Sequence, residues 1–185
     1  MGKGIISSKQ IYLRPIVESD IDKGWMEWMN DGEINKFLVN NNPTTREDLL
    51  NYLSNSKPPS AYMFAICMVS DDSYIGNARI SSINWISRRA SYGRLIGSKN
   101  SRGKGLGTEV LILLAYYAFY HLNLNRIQTG VVDTNIGSLR SNEKSGAVKE
   151  GIIREAEYIN GVYHDSIMYS ILKKDFDKRA YKDII

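Results

Sequence analysis

One cysteine, four prolines and two histidines are all that 185 residues contain of those types. A lone Cys67 excludes an intrachain disulfide and suits a reducing cytoplasm. It sits inside an apolar run, residues 62–69, where a buried thiol is the expected state rather than a nucleophile. His121 and His164 lack metal-ligand spacing and carboxylate company, so no metal site is expected. Long apolar runs are missing too: none could span a bilayer, and residues 1–10 have no secretion-signal core. The expectation is a cytoplasmic protein with no membrane partner. Charge of one sign is scarce, since 24 Lys and Arg stand against 20 Asp and Glu for a net +4. Without a dense basic stripe there is no footprint for nucleic acid, although the small excess suits an anionic ligand. No repeat, low-complexity stretch or linker divides the chain. A single domain over 1–185 is expected, with its core at about 11–172 and a charged surface tail at 173–185.

What is present is ordinary globular material, 43% hydrophobic and 24% charged. Ile11 to Arg14 alternates and stops at Pro15, as a short strand does. Ser19 or Asp20 can cap a helix through Trp28, which Asn30-Asp31-Gly32 ends. Thr44 and Glu47 have capping-box spacing before a second helix that Lys57-Pro58-Pro59 closes. Strands are predicted at 62–69, 74–85 and 90–97, then a long helix to His121, a strand at 126–132, a helix at 136–145 and closing strands at 148–155 and 165–172. Several meander strands ahead of a single strand–helix crossover indicate a mixed α/β (α+β) sheet flanked by helices.

The chemistry concentrates in Arg102-Gly103-Lys104-Gly105-Leu106-Gly107-Thr108, which lies between a predicted strand and the long helix. Glycine permits positive φ and close approach, and the first turn of a helix offers unpartnered N–H groups at the positive end of its dipole. Such a loop suits a phosphate or pyrophosphate, or it is simply a tight helix entry. A P-loop requires Lys-Ser/Thr after its last glycine, where this chain has Thr108-Glu109. A dinucleotide fingerprint fails because the sixth residue from Gly103 is Thr108 and the loop lies past mid-chain.

Arg102-x-x-Gly105-x-Gly107 resembles the (Gln/Arg)-x-x-Gly-x-(Gly/Ala) signature of the GNAT acetyltransferases. Asn135-x-x-Ser138 with Glu143-Lys144-x-Gly146, and Gly151 to Tyr158 with Asn160-Gly161-x-Tyr163-x-Asp165, resemble later segments of the same family. The likeness is to the branch that contains ribosomal-protein N-terminal acetyltransferases and amino-sugar acetyltransferases. It runs from about Ile11 to Leu172 and is clearest from Tyr92 onward. It implies a GNAT-like, mostly antiparallel sheet whose fourth and fifth strands, here 90–97 and 126–132, splay apart. Acetyl-coenzyme A is the implied acetyl donor, its pyrophosphate on the loop from Arg102 to Thr108 and its pantetheine along Leu95, Ile96 and Gly97.

The resemblance also suggests roles. Ser138 is the implied hydrogen-bond donor to the leaving thiolate, and it reads equally as a helix cap. Asn135 would orient the pantetheine, or only form an Asx turn. Glu157 is the implied base, against a solvated loop carboxylate, because Ser91 or Tyr92 stands where many relatives carry a fourth-strand Glu. Trp28, Phe37 and Tyr158 are placed at the acceptor wall, with Trp25 there or in the core, and Glu33 near a cationic acceptor. With no poised Cys–His pair, direct attack by a primary amine is expected, without a covalent enzyme intermediate. A small-molecule amine such as a nucleotide-linked amino sugar comes first as acceptor and a protein N-terminus second. Homodimerisation is common among such relatives. A non-catalytic acyl-coenzyme A sensor is the rival class.

Overall fold

The computed structural model describes residues 4–37 and 43–177. Among them, β1 (Ile6–Ser7), β2 (Ile11–Pro15), β3 (Tyr62–Met68), β4 (Tyr74–Asn84), β5 (Arg89–Ile96), β6 (Arg126–Val132), β7 (Val148–Ile159) and β8 (Val162–Leu172) form one sheet. Its order is β1-β2-β3-β4-β5-β6-β8-β7. Every pairing is antiparallel except β5 with β6, and that parallel pair holds only at Arg89↔Arg126, Ala90↔Ile127 and Ser91↔Gln128. Beyond Ser91 the two strands part, while β4 continues beside β5 to Ile96 and β8 beside β6 to Val132. The expected splay is therefore present, between what are the fifth and sixth strands once β1 is counted.

The helices are α1 (Met26–Asn30), α2 (Gly32–Asn35), α3 (Arg46–Asn55), α4 (Leu106–Tyr116), α5 (Ile136–Lys144) and α6 (Lys173–Phe176). Residues Val110 to Ala115 of α4 are all buried, as a helix apolar on every side must be. It packs with Ile80, Tyr92, Ile127, Val131 and Ile167 in the main core on one face of the sheet. On the other face a smaller core joins Ile21, Trp25, Trp28, Ile34 and Leu49 to Met63, with Leu95 packed against it.

Several elements differ from expectation. Asp20 is not a cap: its fully buried carboxylate accepts two bonds from Arg14, each 2.7 Å, and one from the Val17 amide at 2.9 Å. Burial alone would raise that carboxyl, but these donors outweigh it and hold it below the ordinary carboxylate range. The helical segment over 21–30 kinks at Gly24, whose φ is +126°. Asp31 breaks it and caps the unforeseen α2 by accepting from the Glu33 amide at 2.8 Å. The capping box of α3 is Thr45 with Asp48, one residue later than Thr44 with Glu47. The last hairpin is longer than predicted because its turn is Asn160-Gly161, both at positive φ, as a two-residue hairpin turn demands. Glu157 and Tyr158 therefore belong to a strand. Phe176, expected in an exposed tail, is buried against Phe119 at 5.5 Å between ring centroids. The rest of that tail, 178–185, lies outside the described residues.

Candidate active site

The glycine loop forms an open nest. Gly103 and Gly105 have φ of +74° and +80°, and Gly105 occupies the N-cap of α4. The Thr108 amide already donates to Gly105 O at 2.9 Å. The amides of Gly103, Lys104, Gly105, Leu106 and Gly107 donate to no acceptor among the described residues. Five main-chain donors at the positive end of an 11-residue helix make an anion site. Glu109, in the first turn, would oppose an anion there. Its carboxylate is instead engaged by Ser8 Oγ at 2.6 Å and by Gln10 Nε2. Arg102 folds back, its Nε 3.2 Å from Ile96 O at the end of β5.

The gap between β5 and β6 begins beside this nest. The Gly97 amide donates to Ile75 O at 2.9 Å, toward β4. Ladder alternation then commits the peptide groups of Leu95 to β4 and turns those of Arg94 and Ile96 into the gap. An extended arm bearing amides can complete that half of the ladder. Arg94 reaches under the α4 terminus: its Nε would lie 3.4 Å from a Cβ at Gly107, and Nη2 donates to Ser141 of α5. Burial pushes its guanidinium below the ordinary arginine range, and no carboxylate pairs with it among the described residues. Tyr92 OH donates to Asn142 Oδ1, and Asn142 Nδ2 donates to Ser138 O at 2.8 Å.

Ser138 and Asn135 come together as the motif suggested. Asn135 Oδ1 accepts from the Ser138 amide at 3.1 Å, so the asparagine is the cap of α5. Ser138 itself is one turn inside, half-buried, with its Oγ 3.5 Å from Asn142 Nδ2. Because that neighbour is a donor, the hydroxyl proton of Ser138 is left to point elsewhere.

Glu157 stands on β7, the last strand of the sheet, opposite His164 of β8. Cross-strand partners share a face. His164 shares its face with Ser166 and Met168, away from α4, so Glu157 lies on the α1–α3 side. Past the end of β6, Asp133 Oδ1 lies 3.1 Å from His164 Nδ1. His164 thus has the carboxylate company that the sequence did not reveal. No group of three metal-binding side chains occurs among the described residues.

On the α1–α3 side a cavity of about 870 Å³ opens onto the gap. Trp25, Met29, Leu49 and Tyr52 roof it, Met63, Asn77 and Arg79 floor it, and residues 92–95 form its inner end. The residues expected at the acceptor wall are scattered. Trp28 is 8% exposed and packs against Gly97 and Tyr74 rather than lining the cavity, whereas Trp25 lines it. Glu33 is exposed and 3.5 Å from Lys36, whose ammonium lies 5.4 Å from the Phe37 ring centroid. Tyr158 is exposed and packs on Tyr163 at 4.8 Å.

Sequence reasoning missed Asn77, Arg79, Arg94 and Asn142. Asn77, Arg79 and Ser81 alternate with apolar Ala78 and Ile80, the pattern of a strand with one wet face. Here that polar face is roofed by α3 and lines a cavity.

Comparison with known proteins identifies the family and the fold. The probable N-acetyltransferase YjcK of Bacillus subtilis (strain 168) is 33% identical over 181 residues, 92% of this chain and 98% of that one. The spermidine N(1)-acetyltransferase of Vibrio cholerae is 31% identical over 106 residues, covering 57% of this chain and 61% of that protein. A crystal structure of spermidine N-acetyltransferase from Vibrio cholerae in complex with CoA and spermine superposes with a TM-score of 0.82. It covers 90% of this chain and 98% of that one at 24% identity, a likeness of fold. Residues 10–148 match the family described as the acetyltransferase (GNAT) domain, and the chain belongs to that family.

Proposed function

We propose that the protein transfers an acetyl group from acetyl-coenzyme A to a small primary amine. The observation that carries this reading is the parting of β5 from β6 after three registers, with the amide nest at one side of the gap and the cavity at the other. The diphosphate fits the amides from Gly103 to Gly107, and the pantetheine fits the edge at Arg94 and Ile96 that β6 leaves open, with Arg102 releasing Ile96 O. When bound, the cofactor supplies an activated thioester. Everything else falls to the chain.

An amine is chiefly ammonium at neutral pH, because an unperturbed lysine side chain titrates near about 10.4 and an α-amine near about 8. Glu157, on the same side of the sheet but two strands beyond β6 and outside the cavity lining, takes the proton through water. The free amine nitrogen then forms its bond to the acyl carbon as the carbon–sulfur bond breaks, and the second nitrogen proton passes through water to the departing thiolate, which leaves as the coenzyme A thiol. Ser138, its oxygen already approached by the Asn142 donor, offers its hydroxyl proton in a hydrogen bond to the departing sulfur. A nucleotide-linked amino sugar is the acceptor we favour, on the strength of the α1–α2 segment. Edge strand β7, which exposes Val148, Ile152 and Ile153, is the surface through which a second copy would pair.

Calorimetry with acetyl-coenzyme A, followed by coenzyme A release with a panel of amines, tests the reading. Binding and amine-dependent turnover support it. Binding without turnover across the panel would favour the sensor class instead.

A further inference from the structure

The floor of the cavity holds two donors with nothing to donate to. Asn77 Nδ2 and Arg79 Nε are both buried without a hydrogen-bond partner among the described residues. Asn77 is only 7% exposed, and its Oδ1 is occupied by Tyr74 OH at 2.6 Å. Arg79 Nη1 donates to Tyr52 OH at 2.6 Å, and its guanidinium lies 5.0 Å from the Tyr52 ring centroid. The two residues stand at i and i+2 on one strand, so they face the same way. Buried donors without acceptors are rare in folded proteins, and a pair on residues that line one cavity leaves hydrogen-bonding capacity there for an acceptor group.

The charges agree. Arg14, an arginine of strand β2 on the far side of β3, is paired two-pronged with Asp20. Arg79, which lines the cavity, has no carboxylate partner among the described residues. Asp48 is the one carboxylate in the lining, and its Oδ2 is already taken by the Thr45 amide at 2.9 Å and the Thr45 hydroxyl at 2.6 Å. One guanidinium without an ion-pair partner and one carboxylate already accepting from Thr45 are poor company for a polycation. Gly93, the cross-strand partner of Arg79, has no atom within 4 Å of where a Cβ would sit, so there is room beside the guanidinium on the way to the gap.

We infer that the acceptor is a small amine carrying an oxyanion, a carboxylate or a phosphate, which Arg79 and Asn77 receive while the amine points past Gly93 to the parted strands. The inference rests on the acetyltransferase reading and names its substrate class. It sets this chain apart from an enzyme whose acceptor is a polyamine.

The test is calorimetric titration of the coenzyme A-saturated protein with matched pairs: glucosamine 6-phosphate against glucosamine, phenylalanine against phenethylamine, and spermidine alone. In at least one pair the anionic member should bind about tenfold or more tighter than its twin, with spermidine weaker than that member. The pair with the larger ratio tells phosphate from carboxylate. Arg79→Gln should bring the ratio to near unity while leaving affinity for coenzyme A unchanged. Equal binding within both pairs, spermidine or an N-terminal peptide amide as the best ligand, no binding of any of them, or a ratio that survives Arg79→Gln would each overturn the inference. Those results leave the cofactor half standing. Failure of coenzyme A itself to bind would bring down both readings together.

Discussion

The two faces of the sheet offer a ligand different kinds of group. On the α4 face these are main-chain amides, whose positions follow from two glycines at positive φ and the start of a buried helix. On the α1–α3 face they are side chains gathered from the kinked first helix, α3, β3, β4 and β5. A backbone site is insensitive to which side chains surround it, so it can stay fixed while the opposite face changes. Under the proposed function, specificity would then be a property of the second face.

The largest effect is expected from breaking the backbone half. Gly105→Glu forces a side chain into a left-handed position and adds a negative charge to the nest. It should weaken acetyl-coenzyme A binding by at least about 100-fold, with circular dichroism unchanged. Unaltered affinity would remove the loop from the site. On the side-chain half, Glu157→Gln should lower kcat by about 10²-fold, most at low pH, where free amine is scarcest. A pH–rate profile parallel to the parent's would release Glu157 from the role of base.

Two arginines sharpen the contrast further. Asp20→Ala leaves the partly buried Arg14 guanidinium unpaired and should cost about 1–3 kcal/mol in denaturant unfolding. Arg79→Gln removes a group that has no ion-pair partner and should change stability by less than about 1 kcal/mol. If Arg79 proved as destabilising to replace as Asp20, it would be a structural residue. The smallest effect concerns Glu150 on edge strand β7. Arg126, bonded to it at 2.7 Å, and then Ser170 hold its carboxyl down from 4.5 to about 2. A depressed carboxyl stabilises the fold above its unfolded pKa, and that contribution is lost as pH falls through the folded value. Glu150 is partly exposed, so solvent screening keeps the contribution below about 1 kcal/mol. Glu150→Gln should flatten the melting temperature between pH 4.5 and 2 by that small amount.

The same division governs what could be read from the sequence. Gly103 and Gly105 were legible because local chain geometry alone produces their chemistry, whereas the Asn135–Ser138 pair was legible only through the family resemblance. The strands from β2 to β6 were legible from alternation and turns, to within a residue or two. Asn77 and Arg79 were not, because a polar strand face looks the same whether water or a helix covers it. Asp20 read as a cap until the fold brought Arg14 against it. The end of β7 follows from Asn160-Gly161, a hairpin signal that the family resemblance absorbs into a longer motif.

The parted strands have a kinetic consequence. Because the gap opens to both faces of the sheet, the proposed function would bring the donor by one side and the acceptor by the other, with neither needing to depart before its counterpart enters. Initial velocities at varied concentrations of both should therefore give intersecting double-reciprocal lines, the signature of a ternary complex, rather than the parallel lines of a shuttled acyl-enzyme.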